Sequence, residues 1–64
     1  MLSMKFLERV RTERTVDTRK YRYIWDGDFG IIVRKPLAEL ETTSDWQLVA
    51  GCVAEGGKEQ CKPQ

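Results

Sequence analysis

Apolar positions near the start of the chain recur at the spacing of an amphipathic helix. The seam they form consists of Leu2, Phe6, Leu7 and Val10. Residues three and four apart lie on one side of a helix, so this spacing predicts a helix over residues 3–13. Ser3 is an acceptable N-cap. So short a helix is marginal alone, and we expect it to pack against a sheet.

Residues 19–34 change to a strand pattern. Aromatic and β-branched residues are interrupted by glycine and aspartate, which predicts a β-hairpin. A two-residue loop at Gly27–Asp28 would put glycine first, as a type II′ turn requires. One face then pairs Tyr21 with Arg34, Tyr23 with Ile32 and Trp25 with Gly30. The other pairs Arg22 with Val33, Ile24 with Ile31 and Asp26 with Phe29. Both faces therefore carry large apolar groups.

Pro36 ends the second strand of this hairpin and suits the first position of a helix. Good helix formers follow, so residues 36–43 are expected to form a short helix. Residues 44–55 fit two structures. Helical spacing after Ser44 favours a helix, whereas the compact apolar run around Gly51 favours a strand. We prefer a strand over residues 46–53, because two strands alone make a poor sheet.

The end of the chain is also open to two interpretations. Gly56 and Gly57 could close a helix or turn a hairpin into residues 58–62, and residues 62–64 are expected to form a frayed tail. With 64 residues, 1–64 is one small domain. The predicted class is α+β, a small antiparallel sheet with a short N-terminal helix and a second short helix near 36–43.

One stretch resembles a known family. It runs through Leu37-Ala38-Glu39-Leu40, Asp45-Trp46-Gln47-Leu48-Val49 and Gly56-Gly57. It is similar to a family of short uncharacterised bacterial domains with a small helix, a Gly-Trp-Glu-Leu-Val strand and a glycine-rich hairpin. This chain has Asp45 in place of that glycine and Gln47 in place of that glutamate. The resemblance implies a strand at 46–53 and no activity.

Composition narrows the functional class. The chain has no histidine, two cysteines and two serines, so it offers no His-based triad and no four-ligand zinc site. A single domain of this size has little room for a deep substrate pocket. We therefore expect no enzyme, no catalytic residue, no metal site, no cofactor and no small-molecule substrate.

The formal net charge is +1, but it is unevenly distributed. Residues 1–35 hold nine basic and five acidic side chains, whereas residues 36–64 hold two basic and five acidic ones. A basic first half and an acidic second half could dock head to tail with a second copy.

The first residues meet a charge at Lys5 and have no long apolar run. They predict neither a signal peptide nor a membrane span, so a cytoplasmic location is expected. Disulfides are rare in that compartment, and Cys52 and Cys61 are accordingly expected as free thiols, although a bridge across the glycine pair is conceivable.

The aromatic and basic face of the hairpin is the candidate binding surface. The residues singled out are Arg19, Tyr21, Arg22, Tyr23, Trp25, Ile32 and Arg34. Leftover apolar surface favours a protein partner or a homodimer, which predicts a small adaptor or inhibitor of the kind found among phage or mobile-element accessory proteins. The alternative is a weak single-stranded nucleic-acid binder, with aromatic rings stacking on bases. A third interpretation is that a helix simply covers these residues.

Overall fold

A computed structural model describes residues 2–55 and 58–63 of the chain. The elements are α1 (Met4–Glu13), β1 (Thr15–Asp17), β2 (Tyr21–Asp26), β3 (Ile31–Pro36), β4 (Gln47–Glu55) and β5 (Lys58–Pro63). The five strands form one antiparallel sheet in the order β1-β2-β3-β4-β5. The α+β class is therefore confirmed, with more sheet than the sequence pattern predicted.

Helix α1 forms where the apolar seam predicted it. The Ser3 hydroxyl accepts a hydrogen bond from the Phe6 amide at 3.1 Å, as an N-cap does. Leu7 and Val10 are buried beneath it. The helix ends at Arg14, whose φ of 73° is unusual for a residue with a side chain and turns the chain back on itself. Its amide still donates to the Val10 carbonyl at 2.7 Å.

That reversal places residues 15–17 in an edge strand rather than a simple helix end. Val16 pairs with Tyr23 of β2, and both side chains are buried. Because β-branched residues fit a pleated surface, these residues extend once the chain turns. Three residues were too short a run to predict as a strand.

The β2–β3 hairpin is present, but the predicted two-residue turn is wrong. The connection is four residues long, 27–30. The Asp26 carboxylate accepts hydrogen bonds from the amides of Asp28 and Phe29, at 3.1 and 3.4 Å. Gly30 adopts a φ of 66°, and its amide donates to the Asp26 carbonyl at 2.8 Å. An aspartate side chain therefore determines the turn.

The longer turn moves the register by two residues. Tyr23 lies opposite Arg34 instead of Ile32, and Trp25 lies opposite Ile32 instead of Gly30. Since side chains alternate with a period of two, each stays on its predicted face.

The helix predicted over residues 36–43 is wrong. Only a single 3₁₀ turn forms, at Leu37–Glu39, and Pro36 is the last residue of β3. The Thr42 hydroxyl donates to the Glu39 carbonyl at 2.7 Å and accepts from the Ser44 amide at 3.2 Å. The Thr42 hydroxyl thus forms hydrogen bonds with a backbone carbonyl and a backbone amide that would otherwise pair with each other or with neighbours in a helix.

The strand interpretation of the region after residue 44 is confirmed by β4, and a further strand, β5, follows it. Ile32 pairs with Ala50 and Val33 with Leu48, which leaves Val49 as the extra residue of a β-bulge. The tail predicted to fray is part of β5 as far as Pro63. The expected glycine-pair turn at 56–57 lies outside the described residues.

The core is a single layer between α1 and one face of the sheet. Its buried residues are Leu7, Val10, Val16, Tyr23, Ile32, Val49, Ala50 and Cys61. The Phe6 and Tyr23 rings meet edge to face with centroids 4.9 Å apart, which is a favourable geometry for aromatic pairs.

Cys52 and Cys61 form a disulfide, so the expectation of free thiols is wrong. The two residues are direct partners in the β4–β5 ladder, and Cys61 is buried in the core. Their proximity follows from β5, the alternative that the sequence left open after residue 55. The bond ties the edge strand β5 to β4.

Replacing Leu7 tests the one-sided core. We expect Leu7→Ala to lower the free energy of unfolding by about 2 to 5 kcal/mol, because the side chain is completely buried. A domain of this length has only about 3 to 10 kcal/mol to lose, so the variant should unfold at a much lower urea concentration than the wild type. The matched Leu48→Ala, where the side chain is 49% exposed, should cost less than about 1 kcal/mol. Urea titrations at low protein concentration, followed by circular dichroism, measure both. Equal losses would contradict a core on one face only.

Reducing the disulfide tests its contribution. The cysteines are nine positions apart, so cross-linking removes a modest amount of chain entropy from the unfolded state. We expect reduction to lower the free energy of unfolding by about 2 to 3 kcal/mol. Urea titrations with and without a phosphine reductant measure this, with thiol alkylation and mass spectrometry as the control. Free thiols in the untreated protein, or superimposed curves, would contradict the assignment.

Candidate functional site: an open apolar sheet face

The two faces of the sheet have different surroundings. We call the face packed against α1 the covered face and the opposite one the open face. Apolar side chains on the open face come from Ile24, Ile31, Val33, Leu48 and Val53. Leu48 and Val53 are 49% and 48% exposed. Strands of an antiparallel sheet usually alternate apolar residues on the core face with polar residues on the solvent face. A row of apolar residues on the open face is therefore unusual.

One end of the open face is partly closed by the chain after β3. Lys35 belongs to this face but is buried, and its Nζ donates to the Thr42 carbonyl at 3.0 Å. The same ammonium lies 5.9 Å from the centroid of the Trp46 ring. A buried lysine needs such partners, and they hold the connection against the sheet. Trp46 itself remains 38% exposed.

A shallow groove of about 670 Å³ extends from the open face between Trp46 and the β2–β3 turn, and Trp25 also lines it. Its apolar lining includes Ile24, Val33 and Trp46, and its polar lining includes Arg14, Asp26 and Asp28. The volume is in the range that accommodates a large side chain or a small molecule. The groove offers an apolar floor with carboxylates at one end.

Gly51 leaves a gap in the apolar row. It lies between Ile31 on β3 and Lys62 on β5. Apart from its two chain neighbours, a Cβ atom built on Gly51 would meet nothing in the described residues within 4 Å, and its φ lies outside the left-handed region. The position therefore requires no glycine for its own backbone, and it leaves space above the sheet.

An ion pair marks the β1 side of the open face. Arg22 donates from Nε and Nη2 to the two carboxylate oxygens of Asp17, at 2.8 and 3.0 Å. This bidentate hydrogen bonding lowers the pKa of Asp17 below its ordinary value and raises that of Arg22. Both side chains are partly exposed, so the pair positions Arg22 more than it stabilises the fold.

The residues predicted as a binding surface lie mainly on the covered face. Tyr23 and Ile32 are buried under α1, and Tyr21 and Trp25 pack against the same core. The third interpretation of the sequence, coverage by a helix, therefore describes these side chains. They do not form one accessible surface.

The three predicted arginines are dispersed. Arg34 donates to the Tyr23 hydroxyl at 3.2 Å, and its guanidinium lies 4.1 Å from the centroid of the Tyr21 ring. Arg19 is exposed in the β1–β2 connection, and Arg22 lies on the open face. Among the predicted residues, only Arg22 belongs to the open face.

Leu48, Val53 and Trp46 were not predicted as site residues. Alternation within the apolar run 46–53 carries part of the signal, but the bulge at Val49 interrupts it. The hairpin pattern had already placed Ile24, Ile31 and Val33 together on a second apolar face, and that face is the open one.

No family model, curated protein or solved structure matches this chain. The resemblance to bacterial domains with a Gly-Trp-Glu-Leu-Val strand stays an interpretation of the sequence. Fold and site together describe a small α+β meander with one helix and one apolar open face. None of the helices in the described residues is long and apolar enough to span a membrane.

The Asp17–Arg22 pair gives a pH prediction. Because hydrogen bonds from Arg22 lower the pKa of Asp17 in the folded state, the pair stabilises the fold fully only above the ordinary pKa of 3.8, which the unfolded state keeps. That contribution disappears as the pH falls through the folded pKa. Carbon-detected NMR titration of the Asp17 carboxyl should show a midpoint below 3.8, the ordinary value, and Arg22→Gln should raise it. A midpoint unchanged by Arg22→Gln would contradict the pair.

Proposed function

We propose that this chain is a small non-enzymatic interaction module, an adaptor or inhibitor, that binds an apolar segment of a protein partner on its open face. The observation that carries the proposal is the row of apolar side chains on the face opposite α1, of which Leu48 and Val53 are about half exposed. Large apolar patches rimmed by polar residues mark interaction sites on soluble proteins. Here Leu48, Val53 and Trp46 form the most exposed part of that patch.

The edges of the sheet favour binding on the face over addition of a strand. β1 has three residues, and β5 ends at Pro63, which has no amide hydrogen. Short strands and proline protect edges against pairing with another chain. A partner therefore has its best contact area on the side chains of the open face. The 19–34 hairpin still contributes through Ile24, Ile31 and Val33.

The nucleic-acid alternative is less well supported. It needs aromatic rings free to stack on bases, and the Tyr23 ring is buried while Tyr21 is covered by Arg34. On the open face, Arg22 is paired with Asp17. The pI of about 7.8 is also below the range typical of nucleic-acid-binding domains.

A cytoplasmic location fits the proposal only if the disulfide is transient or redox-sensing there. Lasting disulfides are typical of oxidising compartments. The binding face itself does not depend on this choice, since the cysteines lie on the covered face.

A peptide selection tests the open face directly. Displayed random peptides are selected on the wild-type protein and then on Gly51→Glu, which adds a charge where space is free. The control is Thr12→Glu, which adds the same charge on the exposed side of α1. We expect apolar peptides that bind wild type and Thr12→Glu and lose at least about tenfold in affinity for Gly51→Glu.

Chemical shift changes should locate the bound peptide. The proposal requires the largest changes at the methyl groups of Ile24, Val33 and Leu48. Selected peptides that bind Gly51→Glu equally well, or that perturb α1 instead, would contradict an interaction site on the open face.

A further inference from the structure

We propose that the occupant of the open face is a second copy of this chain, packed face to face with its strands running in the opposite direction. This inference rests on the proposed function, because it identifies the partner of the same surface. It is argued from the arrangement of apolar, charged and empty positions on the open face.

The apolar row is centred on a line that crosses the strands. Val33 lies between Ile24 on β2 and Leu48 on β4, all three at the same level of the sheet. A two-fold axis along this level, in the plane between two sheets, puts each of these residues over its own counterpart. Apolar side chains then meet apolar side chains across the whole centre, as an isologous interface requires.

The same axis exchanges the two ends of each strand. At one end of β2 the open face carries Arg22, and at the other end it carries Asp26. In the proposed pair, Arg22 of each copy, which keeps its ion pair with Asp17, therefore faces Asp26 of the other. Along β2, opposite charges therefore meet at both ends, which favours the antiparallel arrangement over a parallel one.

Trp46 and Gly51 are complementary in shape, since one is a large side chain and the other leaves an empty space. Gly51 is the last β4 residue that pairs with β3, and Trp46 immediately precedes β4, so the two lie on either side of Leu48. The exchange of ends brings Trp46 of one copy to the level of Gly51 of the other. Trp46 is a large, partly exposed side chain, and a Cβ atom at Gly51 would meet none of the described residues other than its chain neighbours within 4 Å. Buried tryptophans in pockets contribute strongly to interface affinity.

Since α1 and the disulfide lie on the covered face, the two copies can meet without any change in their cores.

Sedimentation of the intact, oxidised protein from about 1 µM to about 500 µM measures the association. We expect the mass to rise with concentration from 7.5 kDa to about twice that value. Gly51→Glu and Trp46→Ala should weaken association by at least about tenfold, while Thr12→Glu should not. Circular dichroism confirms that each variant is folded.

A cysteine introduced at the axis tests the register. Leu48→Cys should form a disulfide with its counterpart in the second copy under mild oxidation, because the two residues face each other. Gln60→Cys, on the open face far from the axis, should not. Cross-linking of both or of neither would overturn the antiparallel arrangement.

Failure of this inference is distinguishable from failure of the proposed function. A wild-type protein that stays monomeric at every concentration overturns the second copy as occupant, whereas peptides that bind the open face would still support an interaction module. A dimer unaffected by Gly51→Glu also overturns the inference, since the copies would then meet elsewhere.

Discussion

A single helix, α1, packs against a sheet of five strands, and the difference in size between the two determines how the rest of the molecule is arranged. Ten residues of α1 make a rod about 15 Å long and about 10 Å wide, while five strands span about 19 Å across. Such a helix can cover one face of the sheet and no more. The core is consequently a single layer, and the apolar residues on the other face remain in contact with solvent.

Local signals in the sequence were sufficient for the elements that depend on near neighbours. The seam around Leu7 and the cap at Ser3 predicted α1, and aromatic alternation predicted the β2–β3 hairpin. Predictions failed where a side chain formed hydrogen bonds with backbone amides or carbonyls. Asp26 lengthened the hairpin turn, and Thr42 ended the helix expected after Pro36. Both effects depend on the conformation that a few side chains adopt, which residue type alone does not specify.

The candidate site could be predicted only in part. Alternation in the hairpin identified two apolar faces correctly, and a register error of two residues preserved them. Which face the helix would cover was not determined locally. The answer depends on the contact of Phe6 with Tyr23 and on Cys61 completing the same layer from β5. The face chosen from its aromatic content proved to be the covered one.

The disulfide helps to protect a sheet that has one apolar face in contact with solvent. It fastens β5 beside β4, a nine-residue strand that carries Leu48 and Val53 toward solvent. Without β5, β4 would become a long apolar edge, the kind of surface that promotes aggregation. With β5 attached, the exposed edge is shorter and ends in proline, while the apolar side chains remain available on the open face. The disulfide therefore limits the pairing of another chain with the backbone at the sheet edge. It does not limit contacts between a partner and the apolar side chains of the open face.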